Sequence, residues 1–205
     1  MTVATARSKL SFQQFLQTYP EGKGIYELVD GEIIEMRATR GHDSIADGLL
    51  FAFNDEIRRE QLDLKVTNRV VIRTVRADGQ EQGRIPDVSV IQKAQWNANP
   101  SAYAAFIEPI QLAVEVVSTN WEDDYVDKLE EYERLGIAEY WIVDYLTHGS
   151  RAYLGNPKVP TVFVYCLNQA GQYEMKAFKG EELIQSQTFP NLELTAQQVF
   201  SGELS

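Results

Sequence analysis

The sequence predicts a mixed α/β fold, of the α+β kind, and three observations carry that prediction. Helix-period and strand-period segments follow one another as helix, three strands, helix, strand between about residues 42 and 146. The run Leu112-Ala113-Val114-Glu115-Val116-Val117 is almost continuously apolar, as a strand covered on both faces must be. The chain has 205 residues, 44% of them apolar and 24% charged, which is enough to bury one substantial core.

Taken in order, Ser11 to Tyr19 reads as a short helix capped by Ser11, with Phe12, Phe15 and Leu16 at helical spacing. Ile25 to Val29 and Glu32 to Met36 flank the turn pair Asp30-Gly31 and predict a hairpin. Asp43 to Glu60 carries Ile45, Leu49, Leu50, Phe53 and Ile57 along one face, the mark of an amphipathic helix. Leu64 to Val75, Arg84 to Ile91 and Ile110 to Val117 are expected as three strands. The connection Gln92 to Pro109 is long for a loop, and loops of that length are often functional or interfacial. Thr119-Asn120-Trp121-Glu122 has the form of a capping box and opens a helix that runs to Leu135 and stops at Gly136. Glu139 to Tyr145 is a further strand. A second hairpin, Thr161 to Leu167 and Gln172 to Phe178, extends the C-terminal side, and Thr195 caps a short closing helix.

Composition excludes several classes of function. The stretch Met1 to Ala6 is polar, with no signal-peptide core, and no apolar run approaches the ~18 residues of a membrane span, so the expected location is the cytoplasm, with no membrane partner. One cysteine, Cys166, cannot form an internal disulfide, and with two distant histidines it cannot build a zinc site. The net charge of −11 argues against indiscriminate nucleic-acid binding. That charge is uneven. Residues 1–93 hold 13 Lys or Arg against 14 Asp or Glu, whereas residues 94–205 hold 6 against 16, so any surface for a polyanion belongs to the first half.

Three polar residues break the apolar pattern. On a helical wheel Trp121, Tyr125, Leu129, Tyr132 and Leu135 form one stripe, and Lys128 falls inside it. A lysine there can run its stem along the core edge and carry its head to water. Glu115 shares its strand face with Ala113 and Val117, where a lone carboxylate is desolvated and needs a partner. Asp87, among Ile85, Val88, Val90 and Ile91, poses the same question. If the two strands are neighbours, both carboxylates can converge on a hard cation such as Mg²⁺, with Lys128 offsetting charge and orienting the attacking water. A buried acid–lysine ion pair accounts for the same residues without catalysis.

Tyr26 to Glu32, Pro86-Asp87-Val88, Glu115-Val116-Val117-Ser118, Lys128, Tyr132, Gly136 to Asp144 and Phe189 to Leu192 together resemble the Uma-type restriction endonuclease family, within the PD-(D/E)xK nuclease superfamily. The resemblance covers nearly the whole chain. It implies a single restriction-endonuclease-like domain over residues 1–205, with the core at about 42–146, and a Mg²⁺-dependent DNA endonuclease in which Mn²⁺ can substitute. Asp87 and Glu115 would be the metal ligands, with the backbone carbonyl of Val116 as a further one, and Lys128 the catalytic cation. The superfamily's lysine usually stands two residues beyond the acid, a position held here by Val117. The resemblance implies a lysine that has moved to the following helix in this family, at the position of Lys128.

Further candidates are His42 as a phosphate contact or outer group, Glu27 as an auxiliary acid, and Asp124, one turn before Lys128, as its holder through an i, i+4 bridge. Lys65, Arg69 and Arg73 share one face of an expected strand, with Arg58, Arg59, Arg76 and Arg84 nearby, and could track a phosphate backbone. Trp96, Tyr103 and Phe106 could stack on bases or serve an oligomer contact. A homodimer would suit cutting of both strands of a duplex. The competing readings are a non-catalytic interaction protein that retains the nuclease fold, and a metal-dependent hydrolase of RNA or another phosphodiester.

Overall fold

A computed structural model describes residues 9–22 and 24–202; the N-terminal stretch Met1 to Ala6 lies outside them. Helix α1 (Phe12–Gln17) begins at Ser11, whose side chain accepts from the Gln14 N–H in a reciprocal capping box. Strands β1 (Ile25–Val29) and β2 (Glu32–Met36) form the expected hairpin, Val29 opposite Glu32. Its turn residues Asp30 and Gly31 both have positive φ, as a two-residue turn of the primed type requires. Helix α2 (Arg40–Arg59) starts three residues before the expected Asp43, because the Thr39 side chain caps it through the His42 N–H.

Two of the expected strands are each divided between sheets. Leu64 to Val75 becomes β3 (Leu64–Thr67) and β4 (Val71–Val75), and the next becomes β5 (Glu81–Arg84) and β6 (Val88–Gln92). The long connection holds α3 (Lys93–Asn97) and β7 (Ala105–Phe106), the latter pairing parallel with β4. Then come β8 (Leu112–Val116), helix α4 (Lys128–Leu135), β9 (Glu139–Asp144), α5 (Arg151–Leu154), the hairpin β10 (Thr161–Leu167) and β11 (Tyr173–Phe178), and α6 (Ala196–Ser201). Trp121 and Glu122 open the helix that becomes α4, and Asp123–Asp127 form a π-helical turn before it. Its start is not the capping box read from Thr119. The Asn120 side-chain amide donates to the Asp123 carboxylate instead.

One sheet has the order β2-β1-β5-β4-β7 and the other β11-β10-β9-β8-β6-β3. Along the second sheet the chain runs α2, β3, β6, β8, α4, β9, so the predicted helix, three strands, helix, strand order holds once the excursions into the first sheet are set aside. Leu112, Val114 and Val116 face the core shared with Ile45, Leu49 and Phe53 of α2. Ala113 and Val117 face the opposite core, shared with Tyr125 and Tyr132. Each fully buried Leu, Val or Phe contributes about 1.5–3 kcal/mol. α1 covers the first sheet by packing Phe12 and Phe15 in one cluster with Leu28 and Val71. Among the described residues, no helix is long and apolar enough to cross a membrane.

Candidate active site

The site forms where β6 and β8 run antiparallel and α4 crosses them. Val88 pairs with Val114 and Ser89 with Ala113, so one step further along the same register Asp87 meets Glu115. Asp87 stands just before β6 rather than within a strand, and its side chain is 22% exposed. The Val116 N–H donates to Asp87 Oδ2 at 2.7 Å, which brings the Val116 peptide beside that carboxylate. His42, at the start of α2, places Nε2 3.1 Å from the same oxygen. His42 Nδ1 is buried without a hydrogen-bond partner, 3.8 Å from Asp43 Oδ1. Burial favours the neutral imidazole, but the Asp87 hydrogen bond and charge outweigh it and raise the His42 pKa.

Lys128 does not snorkel. Its side chain is 4% exposed, and Nζ lies 2.9 Å from Glu115 Oε2, 3.1 Å from Asp124 Oδ1 and 4.0 Å from Glu27 Oε1. Burial favours the neutral amine, yet Glu115, then Asp124 and Glu27, hold its pKa well above the usual lysine range. Burial likewise holds the Glu115 carboxyl well above its ordinary range, against the pull of Lys128 and with help from Asp87, Asp124 and Glu27. Burial pushes Asp124 up to about 6, again against Lys128. The Tyr132 hydroxyl donates to Glu115 Oε1 at 2.7 Å, so both oxygens of that carboxylate are fixed. The Tyr140 hydroxyl donates to the Asp124 carbonyl at 2.9 Å and ties the π-helical turn to β9. Such turns recur at functional sites, and this one bears Asp124.

Glu27 comes in from β1 but is engaged elsewhere. Its Oε1 accepts from the Ile85 N–H at 2.8 Å, and its Oε2 meets Arg84 Nη1 at 3.3 Å. Arg84, read from the sequence as part of a basic strip, is 1% exposed and donates from Nε and Nη2 to the two oxygens of Glu131, each at 2.8 Å. Glu131 also accepts from Thr74 at 2.6 Å. The sequence reading missed this pair. Its signal was available, because Glu131 lies three residues beyond Lys128 and therefore on the edge of the same stripe.

The basic strip does not form. Lys65 belongs to the second sheet, where Nζ sits 4.7 Å from the Trp96 ring centroid, while Arg69 is exposed in the connection and Arg73 belongs to the first sheet, paired with Glu81 at 2.6 Å. The three share no strand face, because the strand that would have aligned them is split. Tyr103 is exposed, while Trp96 and Phe106 pack against the core beneath α4.

Around Lys128 and Arg84, the carboxylates of Glu27, Asp87, Glu115, Asp124 and Glu131 outnumber the permanent cations. An excess of negative charge in a buried cluster fits a divalent cation. Among the described residues, no three His, Cys, Asp or Glu side chains stand in a metal-ligand arrangement. A cation at this point would rest on the Asp87 and Glu115 carboxylates with water completing its shell, as Mg²⁺ commonly does, and it would share Glu115 with Lys128 and Tyr132, which engage both of its oxygens. Asp87 suits this, being partly exposed, with Oδ2 engaged and Oδ1 taking no protein hydrogen bond among the described residues.

No curated protein matches the chain. Among solved structures, a protein of Anabaena variabilis ATCC 29413 described as a "putative nuclease belonging to DUF820" superposes with a TM-score of 0.68 over 93% of this chain and 97% of its own, at 20% identity. At that identity the likeness is one of fold. The Uma2 family, described as "Putative restriction endonuclease", matches residues 12–197, and with that span covered the protein belongs to the Uma2 family.

Proposed function

We propose that this chain is a Mg²⁺-dependent DNA endonuclease of the cytoplasm, acting from one domain with its core at about residues 42–146 and cutting duplexes as a homodimer. The observation that carries the reading is the buried Lys128 ammonium 2.9 Å from Glu115, on a strand whose register brings Asp87 to the same point. Asp87 and Glu115 would hold the cation, with the Val116 carbonyl as a further ligand. When bound, it supplies Lewis-acid charge and a more acidic water.

The protein's own groups do the rest. Lys128, kept cationic by its acids, stabilises negative charge developing on a phosphate oxygen in a dry, preorganised site. Tyr132 and Lys128 fix the plane of the Glu115 carboxylate, and His42 with the Val116 N–H fixes Asp87. Asp124 holds the lysine stem.

Purified protein incubated with supercoiled plasmid and Mg²⁺ or Mn²⁺ is expected to nick or linearise it, and Asp87→Ala to do neither. Cleavage that survives in Asp87→Ala would remove the assignment. A second reading, an interaction protein that keeps the fold, draws on one observation: the Lys128 head is almost fully enclosed and already paired with two acids. Calorimetry with Mn²⁺ separates the two, since only the nuclease site binds the ion and loses it in Asp87→Ala.

A further inference from the structure

Arg84 ties together the two structural units that carry the candidate catalytic groups. Its guanidinium reaches Glu131 on α4 with two donors and Glu27 on β1 with a third. Glu131 lies three residues beyond Lys128 on the same helix. Glu27 accepts from Ile85 N–H, and Ile85 leads through Pro86, with its fixed φ, to Asp87. Lys128 and Asp87 are therefore both referenced to one arginine and its two carboxylates.

The charges give this arrangement a consequence. Lys128 has three acids within 4.0 Å, and the most distant, Glu27, is also one of the two acids that share the Arg84 charge, at 3.3 Å against 2.8 Å for Glu131. Buried charge without a counter-ion draws the nearest cation. Remove the guanidinium, and Glu27 competes with Glu115 for the lysine ammonium. The arginine fork serves two carboxylates at once, while its positive charge is what offsets Glu27.

We propose that Arg84 is a positioning residue: by holding Glu27 and Glu131, it reserves Lys128 for Glu115. The proposal rests on the nuclease reading for its kinetic consequence, not for the placement of the lysine. The test compares wild type, Arg84→Gln, Arg84→Lys and the double variant Arg84→Gln/Glu27→Gln. Plasmid nicking with Mg²⁺ gives kcat and KM, and crystal structures grown without added metal give the position of Lys128 Nζ. In Arg84→Gln, kcat should fall about 100-fold with KM within about two-fold of wild type, and Lys128 should lie on Glu27. Taking away the competing charge in the double variant should return Lys128 to Glu115 and kcat to within about five-fold of wild type. Arg84→Lys keeps the charge and should keep Lys128 on Glu115.

An Arg84→Gln structure with Lys128 still on Glu115 overturns the proposal, as does a double variant as slow as the single one. Should Arg84→Gln fail to fold, the double variant and Arg84→Lys decide: Lys128 on Glu115 in both supports the proposal, and displacement in either overturns it. If wild type cuts nothing under any metal, the nuclease reading fails, while the lysine positions still answer the question about Arg84.

Discussion

Replacing Lys128 with methionine removes the cation that lies between Glu115 and Asp124 and leaves a side chain of similar length. At an effective dielectric constant of about 20, charges 2.9 and 3.1 Å apart attract by about 5 kcal/mol each. Most of that offsets the desolvation of the three groups, and removing one member of such a cluster costs about 3–5 kcal/mol. The cost depends on pH, because the stranded acids escape it by taking up protons. Glu115 and Asp124 already have native pKa values above their unfolded ones, and without Lys128 to oppose burial both rise further. An acid whose folded pKa is raised favours the native state fully only below its unfolded pKa. That stability is lost as pH climbs through the folded value, by up to about 1.4 kcal/mol per pH unit for each extra native proton. Lys128→Met should therefore be about 1–2 kcal/mol less stable than wild type at pH 5 and about 3–5 kcal/mol less stable at pH 8. Urea unfolding followed by far-UV circular dichroism at the two pH values measures this directly. A penalty below about 1 kcal/mol at pH 8, or an equal penalty at both, would refute the claim that the lysine compensates two buried acids.

Asp124→Asn tests the same electrostatics from the other side. With Asp124 pushed up to about 6, wild-type stability should fall as pH rises from about 4 through 6, by at most about 3 kcal/mol, and the variant should lose that part of the dependence in a urea series. Glu139, fully buried at the start of β9, accepts from Trp141 Nε1 at 2.6 Å, Ser186 Oγ at 3.1 Å and the Thr188 N–H at 2.7 Å. Glu139→Ala strands three donors, and at about 1–3 kcal/mol for each the loss should lower the melting temperature by about 10 °C. A fall under about 3 °C would mean that the C-terminal segment does not depend on this carboxylate.

The candidate site was legible because its residues contradict their surroundings. Asp87 and Glu115 interrupt apolar runs and Lys128 interrupts an apolar stripe, and such conflicts are expected where function overrides packing. The first hairpin and the α1 and α6 caps were legible for a local reason: each depends on residues within a few positions of one another. The division of Leu64 to Val75 was not. Asn68, Arg69 and Val70 contain no glycine or proline, the apolar alternation runs on past them, and only pairing with partners far along the chain decides which sheet each half joins. That one error also produced the basic strip, since Lys65 and Arg73 align only if the strand is continuous. Arg84 was hidden by the same logic, because an arginine at the end of a strand gives no local sign that two distant glutamates will enclose it.

Where the superfamily pattern would place a lysine on the strand, Val117 packs with Ala113, Ile110 and Tyr140 in the core beneath α4. A lysine there would lie among apolar side chains, with Glu115, two residues before it on the same face, as the one acid of its own segment beside it. The helix-borne lysine avoids this, because the helical segment that carries Lys128 also carries the acid that holds its stem, Asp124, and the hydroxyl that fixes its partner, Tyr132. The arrangement has a cost in geometry. A lysine on the same strand as Glu115 keeps its spacing by covalent connection, whereas here the 2.9 Å separation depends on how α4 docks across two sheets. Thr74 and Arg84 fix that docking from the first sheet by holding Glu131 of α4, and Tyr140 fixes the π-helical turn from the second. Moving the lysine to the helix thus makes the position of its charge a property of tertiary packing, and it explains why so much buried polar structure surrounds a single ammonium group.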